Sequence, residues 1–297
     1  MVKIAVESGQ TLAQRAVSGV PGGTKRRVLA QGDGWQVADV VCTCGPQDRP
    51  FEEQHSHVCI ALVAAGTFQC RSTTGRELMT PGSLLLGNAG QNFECGHEHG
   101  TGDRCVSFSY TPEYFESLAA DAGARRANPI FRRLRVPPVR ALSPVIARAC
   151  AGLAELRDVP WEELSVRLAA QTVQLVDALS PRLSEDPPST VLRVTRAVRA
   201  IERDVTSELS LASLAREARL SPYHFLRTFE NLTAVTPHQY VLRMRLRQAA
   251  MRLTLESARI LDVALDCGFG DVSNFNHAFR AEFGVSPRAY RRQQWRA

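Results

Sequence analysis

Histidine and cysteine residues are concentrated in one part of the sequence, where they offer nitrogen and sulfur ligands for a metal ion. Six of the eight cysteines lie between residues 42 and 105, and four histidines lie in HSHVC (55–59) and ECGHEHG (94–100). Zn²⁺ binds such ligands readily, but this spacing matches no finger or ribbon pattern, and a free cysteine is often simply a small core residue. Metal binding or thiol sensing is therefore left open, no cofactor is expected to be required, and the candidate ligands are His55, His57, Cys95, His97 and His99.

The same region carries only part of a catalytic metal pattern. Cupin metalloenzymes place a His-x-His pair, a Glu and a later His on adjacent strands, and His55 and His57 resemble the first element. Ala61 and Leu62 occupy the window for the Glu, and leucines at 85 and 86 occupy the place of the later His. The four-ligand site is incomplete, so we expect this chain not to be an enzyme.

A second set of polar side chains lies in a segment that the chain repeats about fifty residues later. The repeat pairs Phe225 with Phe275, Phe229 with Phe279, Val235 with Val285, Pro237 with Pro287 and Tyr240 with Tyr290. Phenylalanines four residues apart lie on one helix face, so the neighbouring side chains point elsewhere. Those neighbours are Tyr223, His224, Leu226 and Arg227 in the first copy, and Ser273, Asn274, Asn276 and His277 in the second.

Each copy predicts a helix, a three-residue turn and a second helix, over about residues 209–231 and 258–283. Ser221 can cap the second helix of the first copy, and Asp271 or Ser273 can do so in the second copy. Gly268 suits a left-handed helix end. Both copies are therefore predicted to be helix-turn-helix units.

Between the copies, residues from Pro237 to about Leu253 predict a single helix, roughly 25 Å long. A rigid helix fixes the separation of the two units. Recognition helices that enter successive major grooves on one face of B-DNA lie about 34 Å apart. One helix together with the width of each unit is long enough to supply this spacing within a single chain.

The basic excess of the chain lies in the half that contains the repeat. Residues 191–297 hold 17 Arg, no Lys and 10 acidic residues, which leaves 19 basic and 20 acidic residues in 1–190. An excess confined to one domain indicates a polyanionic partner for that domain. The alternative is a helical array that binds proteins, but two copies with tight turns and an arginine excess favour DNA.

The first half predicts a different architecture. Residues 35–110 read as many short strands separated by turn signals, which is typical of a small β-barrel or jelly roll. Helices are predicted over 143–156 and 161–180, and the apolar stripe of the second packs on its own domain or forms a dimerisation face. Three prolines in 181–190 predict a linker.

Other features of the composition indicate a cytoplasmic protein. The N-terminus lacks the apolar run of a signal peptide, and the sequence contains no stretch of about eighteen apolar residues that would span a membrane. The cysteines are expected to be reduced thiols.

The C-terminal hundred residues resemble the DNA-binding domain of the AraC/XylS family of bacterial transcription regulators. The resemblance rests on the second copy and its tail: Ile260, Ala264, Gly268-Phe269, Ser273, Phe275, Phe279, Phe283-Gly284-Val285-Ser286-Pro287 and Tyr290-Arg291. It implies two helix-turn-helix units on a linker helix, and an N-terminal cupin-like barrel that senses an effector, followed by helices that dimerise. The first copy departs from the family pattern at Ala234, where the family usually has Gly, and at Leu226, where a polar residue is frequent. The second copy departs at His277, where Arg is frequent.

The resemblance also implies roles for particular residues. Base edges would be read by Tyr223, Leu226 and Arg227 in one groove and by Ser273, Asn274 and His277 in the next, and phosphates would be held by Arg243, Arg245 and Arg291. Arg227 is the strongest of these because Arg to guanine is the commonest specific contact.

We therefore predict an α+β protein with a cupin-like barrel and its helices over residues 1–180, a linker over 181–190 and an all-α double helix-turn-helix domain over 191–297. Its predicted function is effector-responsive regulation of transcription, as in an activator. The expected partners are double-stranded promoter DNA, an unknown small-molecule effector and RNA polymerase, with a homodimer left open and no membrane partner. The competing hypotheses are a cupin-type metalloenzyme with a DNA-binding tail and an alkylation-repair sensor with a reactive Cys.

Overall fold

The structure is a computed structural model that describes residues 21–124, 131–154, 159–179 and 186–294. Ten strands occupy its N-terminal half: β1 (Thr24–Gly32), β2 (Trp35–Cys42), β3 (Phe51–Gln54), β4 (Val58–Gly66), β5 (Phe68–Ser72), β6 (Gly75–Met79), β7 (Leu84–Gly87), β8 (Asn92–Gly96), β9 (Asp103–Tyr110) and β10 (Arg135–Val136). They form an antiparallel six-stranded sheet, in the order β1-β2-β9-β4-β7-β10, and a four-stranded sheet, in the order β3-β8-β5-β6.

The two sheets face each other across an apolar layer without closing into one continuous barrel. β4 is the longest apolar run in this half, and it forms a strand that is buried on both faces. Its alternate side chains enter two different cores. Cys59 and Ala61 point between the sheets, whereas Ile60 and Leu62 point to the other face of the six-stranded sheet. The predicted α+β class, with a β-rich first half, is confirmed.

Three helices cover that other face of the six-stranded sheet: α1 (Pro112–Asp121), α2 (Ser143–Leu153) and α3 (Trp161–Ala178), with a 3₁₀ turn at Arg140–Leu142. The predicted apolar stripe lies on α3. Leu164, Leu168 and Thr172 are buried, and Leu175 and Leu179 pack against the same core. The stripe therefore packs on its own domain, which is one of the two uses that the sequence left open.

All the secondary-structure elements in the described residues of the C-terminal half are helices. Its helices are α4 (Pro188–Arg203), α5 (Leu211–Glu217), α6 (Pro222–Thr233), α7 (Pro237–Leu255), α8 (Ile260–Asp266), α9 (Val272–Phe283) and α10 (Pro287–Gln294). α5 with α6, and α8 with α9, form the two helix-turn-helix units, and α7 joins them. Residues 181–185 of the predicted linker lie outside the described residues. α4 begins at Pro188, inside the predicted linker. Proline is tolerated there because its missing N–H costs no hydrogen bond in the first turn of a helix.

The two halves share apolar contacts. Leu78 of β6 belongs to the core of the first unit, and Ala147 of α2 belongs to that of the second. Met251 of α7 reaches the core beneath the six-stranded sheet. Each unit is therefore packed against the N-terminal half through its own buried contact.

Polar contacts join the halves at the same two places. On the first unit, Arg135 Nη2 donates to the carbonyl oxygen of Leu232 at 2.9 Å. On the second unit, the Ser143 hydroxyl donates to the Glu282 carboxylate. No helix in the described ranges combines the length and the apolar character needed to cross a membrane.

Candidate functional site

The second helix of the first unit presents one polar face to solvent. The Ser221 hydroxyl accepts a hydrogen bond from the backbone N–H of His224, which begins α6 as predicted. Phe225 and Phe229 are fully buried, and this orientation fixes the rest of the helix. Tyr223 is 63% exposed and Arg227 is exposed as well, whereas Leu226 is half-buried beside them.

Tyr223 and Arg227 contact each other one helical turn apart. The Tyr223 hydroxyl accepts from Arg227 Nη1 at 3.4 Å, and the guanidinium carbon lies 6.0 Å from the centre of the Tyr223 ring. Such a contact orients a guanidinium while leaving its other N–H groups free to bind a ligand. The exposed face therefore carries a fork of donors that suits bidentate recognition of guanine.

The second unit repeats this arrangement with different side chains. The Asp271 carboxylate accepts from the backbone N–H of Asn274 at 2.7 Å, so that Asp271, of the two predicted candidates, caps α9. Phe275 and Phe279 are fully buried. Ser273, Asn274 and His277 are consequently exposed on the outer face. Their role in reading bases stays a prediction, as it does for the three residues of the first unit.

An open cleft of about 520 Å³ runs beside this outer face. Asn276 and Arg280 of α9 line it together with His277, and Arg288 of α10 reaches it from the next helix. Asn276 was among the outward residues of the repeat, but Arg280 and Arg288 were missed as candidate ligands for a polyanion. The signal that would have found Arg280 is its helical spacing of three from His277.

The structure places Arg243, Arg245 and Arg291, the residues predicted to hold phosphates, against backbone carbonyls of the protein. Arg243 Nη1 donates to the carbonyl oxygen of Pro138 at 2.7 Å, and Arg291 Nη2 donates to that of Ala258 at 2.6 Å. Burial lowers the pKa of Arg243 from its ordinary value. These guanidinium groups hold backbone carbonyls of the protein, and their role in holding phosphates stays a prediction.

Arg245 shows the same structural use most fully. Its guanidinium donates to the carbonyl oxygens of Val205 at 2.8 Å, Ser207 at 2.7 Å and Gly268 at 2.8 Å. These carbonyls belong to the segment before α5 and to the turn of the second unit. Arg245 therefore ties the two units to the linker helix.

A cavity of about 400 Å³ lies in the N-terminal half, at the open side of the two sheets. Its lining mixes apolar side chains such as Phe51, Phe68 and Leu85 with polar ones such as Arg26 and Glu53. A concave space of this size with few charged groups is typical of small-molecule sites. The cavity is also rich in thiols, because it is lined by Cys42, Cys59, Cys95 and Cys105.

The five predicted metal ligands do not converge in the structure. His55 stacks on Phe93 with ring centres 4.1 Å apart, and burial lowers its pKa to about 4. His57 is exposed beside Ser56, and the ring of His99 lies beside the Glu98 carboxylate at 3.8 Å. Cys95 is buried between the sheets. Only His97 belongs to a group of potential ligands among the described residues, and its companions there are Cys42 and Asp103.

The sequence matches two family models, one in each half. The AraC-like ligand binding domain matches residues 40–173, and a helix-turn-helix domain matches residues 214–293. The probable transcriptional regulator LumQ of Photobacterium leiognathi is 31% identical over 136 residues, which are 46% of this chain and 55% of that protein. The HTH-type transcriptional regulator ArgR of Pseudomonas aeruginosa is 32% identical over 142 residues, 48% of this chain and 42% of that protein.

A solved structure of the DNA-binding domain of AdpA, in complex with a target DNA, is 29% identical and covers 34% of this chain and 91% of that chain, with a TM-score of 0.33. The chain spans about half the length of the curated relatives that it matches. One model matches each half, in the order that the sequence predicted, so the predicted resemblance to the AraC/XylS family of bacterial transcription regulators is confirmed.

Proposed function

We propose that this chain is a sequence-specific DNA-binding regulator of transcription that reads two adjacent segments of the major groove. The observation that carries the proposal is the pair of polar faces, exposed on α6 and α9 by equivalent pairs of buried phenylalanines. Tyr223, Leu226 and Arg227 would read one groove, and Ser273, Asn274 and His277 would read the next.

The linker helix supports this assignment. α7 has 19 residues, and Thr236 and Gln239 form a capping box at its start. Its length is roughly 28 Å, so that this helix together with the width of the units is sufficient for the separation of about 34 Å between successive grooves. Arg245, which ties both units to α7, holds their relative position.

The cavity of about 400 Å³ in the N-terminal half supports a response to a small-molecule effector. An effector changes DNA binding only if it binds two states of the protein with different affinity. The contacts of both units with the N-terminal half supply a physical route, because Leu78 of β6 packs in the core of the first unit and Ala147 of α2 in that of the second. Activation of transcription through RNA polymerase belongs to this proposal, and no described contact bears on a homodimer.

The experiment starts from duplexes selected from a random library by the purified full chain. Arg227→Ala is expected to cost about 1–3 kcal/mol of binding free energy on the selected site and little on random DNA, because a base contact is lost. Arg71→Ala is the matched control, since it removes the same charge from an exposed position on β5. Equal losses on both kinds of DNA would contradict the base-reading role of Arg227.

The same binding measurements test whether the two units contact different base pairs. Asn274→Ala is expected to relax the preference at a different base pair from Arg227→Ala. If selection recovers no enriched sequence at all, the proposal of sequence-specific binding is wrong.

A further inference from the structure

Three buried side chains with ligand atoms of different chemistry lie together at one end of the strands of the two facing sheets. The Cys42 sulfur, a His97 ring nitrogen and an Asp103 carboxylate oxygen lie within 4.8 Å of one another. The three residues are only 4%, 4% and 8% exposed. Nitrogen, sulfur and oxygen ligands so close together, and shielded from water, are the usual components of a transition-metal site.

The fold brings these residues together from both sheets. Cys42 at the end of β2 and Asp103 at the start of β9 are register partners, so their side chains lie side by side. His97 follows directly after β8, which belongs to the four-stranded sheet. The site is therefore built by the approach of the two sheets, and it exists only in the folded chain.

Further contacts define the donor set. His97 Nε2 and Asp103 Oδ1 lie 2.6 Å apart, and His97 Nδ1 is buried with no hydrogen-bond partner among the described residues. Cys105 Sγ donates to the other carboxylate oxygen of Asp103 at 3.3 Å. Cys105 lies two residues after Asp103 on β9 and therefore points to the same side. Cys105 supplies a fourth potential ligand.

We propose that Cys42, His97, Asp103 and Cys105 bind one divalent transition-metal ion of the zinc class. Zinc takes tetrahedral sets of sulfur, nitrogen and oxygen ligands at about 2.0–2.3 Å, which places neighbouring ligand atoms roughly 3–4 Å apart. The ligand atoms of Cys42, His97 and Asp103 lie within 4.8 Å of one another, and Cys105 Sγ lies 3.3 Å from Asp103 Oδ2. Ca²⁺ and Mg²⁺ prefer sets made only of oxygen, so they are expected to bind poorly.

The site lies beside a contact between the two halves of the chain. Arg199 of α4 donates to the carbonyl oxygens of Thr101 at 3.0 Å and Gly102 at 2.9 Å, within the loop that joins His97 to Asp103. The backbone N–H of Gly66, the register partner of Asp103 on β4, donates to Glu202 of α4 at 2.8 Å. A metal ion bound to Asp103 would therefore lie next to Gly102, whose carbonyl oxygen contacts Arg199 of the helical half.

The test is a titration of the chelator-treated full chain with Zn²⁺ alone, followed by calorimetry, and with Co²⁺, followed by absorbance. We expect one equivalent of each ion to bind, with a thiolate-to-cobalt charge-transfer band in the near ultraviolet. We expect Mg²⁺ to bind at least about 100-fold more weakly. If the folded wild-type chain binds no Zn²⁺, the proposal is wrong, and this result does not depend on any DNA measurement.

Variants assign the ligands. Cys42→Ser and His97→Gln should each weaken Zn²⁺ binding by about 100-fold or more, a larger loss than the 10–100-fold typical of outer partners. Asp103→Asn is a near-isosteric third variant that tests the site if either of the others fails to fold. His57→Gln, an exposed histidine at the cavity, and Cys150→Ser, a buried cysteine in α2, are the matched controls and should bind as the wild type does. Wild-type affinity in all three ligand variants would overturn the proposed site.

Discussion

The two helix-turn-helix units bury equivalent pairs of phenylalanines but place different residues at the two left-handed backbone positions. Both require left-handed residues at the turn between their helices and after the second helix. The second unit uses Gly268, with φ +83°, and Gly284, with φ +77°. The first unit uses Arg219, with φ 54°, and Ala234, with φ 60°, at the equivalent places. A residue with a side chain in this region costs about 1–2 kcal/mol relative to the right-handed form.

Side-chain hydrogen bonds hold the first unit close to both of these residues. Arg193 of α4 donates to the carbonyl oxygen of Arg219 at 2.5 Å. The buried Thr233 hydroxyl donates to the carbonyl oxygen of Phe229 at 2.8 Å, next to Ala234. The comparison teaches that the buried aromatic pairs define the unit, whereas glycine is one of two ways to make its turns.

The largest expected effect tests the shared skeleton. Phe229→Ala and Phe279→Ala should each lower the free energy of unfolding by about 3–5 kcal/mol, because each removes a fully buried ring from its unit. Urea unfolding of the full chain measures both, and Leu261→Ala, at an exposed position of α8, is the control for a lost apolar side chain. A loss below about 1 kcal/mol for one ring alone would break the equivalence of the two units.

The smallest expected effect tests the difference between them. Gly284→Ala should destabilise the chain by about 1 kcal/mol, and Ala234→Gly should stabilise it by up to about the same amount, because only glycine adopts this backbone without strain. A Cβ at Gly284 would meet no atom within 4 Å, so the effect reports conformation alone. Melting temperatures compare the two variants. Shifts of the same sign would show that Ala234 is not strained.

Local features of the fold were predictable from the sequence, whereas contacts between distant segments were not. The caps at Ser221 and Asp271 and the buried phenylalanines depend on spacing within one helix, which the sequence contains. The carbonyl that a guanidinium contacts depends on tertiary packing, so the contacts of Arg243 with Pro138 and of Arg245 with Ser207 could not be predicted from the sequence.

The candidate ligands in the first half show the same limit. Cys42 and Asp103 are neighbours only because β2 and β9 pair in one particular register, and the two are 61 positions apart in the chain. The short motifs grouped His97 with His55, His57, Cys95 and His99, none of which joins it in a cluster of ligand atoms among the described residues. The register between paired strands cannot be read from the spacing of residues in the sequence, so this group of side chains could not be predicted.

The most direct test of the central claim is the spacing of the two reading faces on DNA. Binding of Arg227→Ala and His277→Ala to a library of single-base variants of the selected site locates the base pair that each residue reads. We predict two different positions about 10 base pairs apart, since the faces enter successive major grooves, with a larger loss for Arg227 than for His277. Loss of preference at the same position in both variants, or at none, would contradict the account.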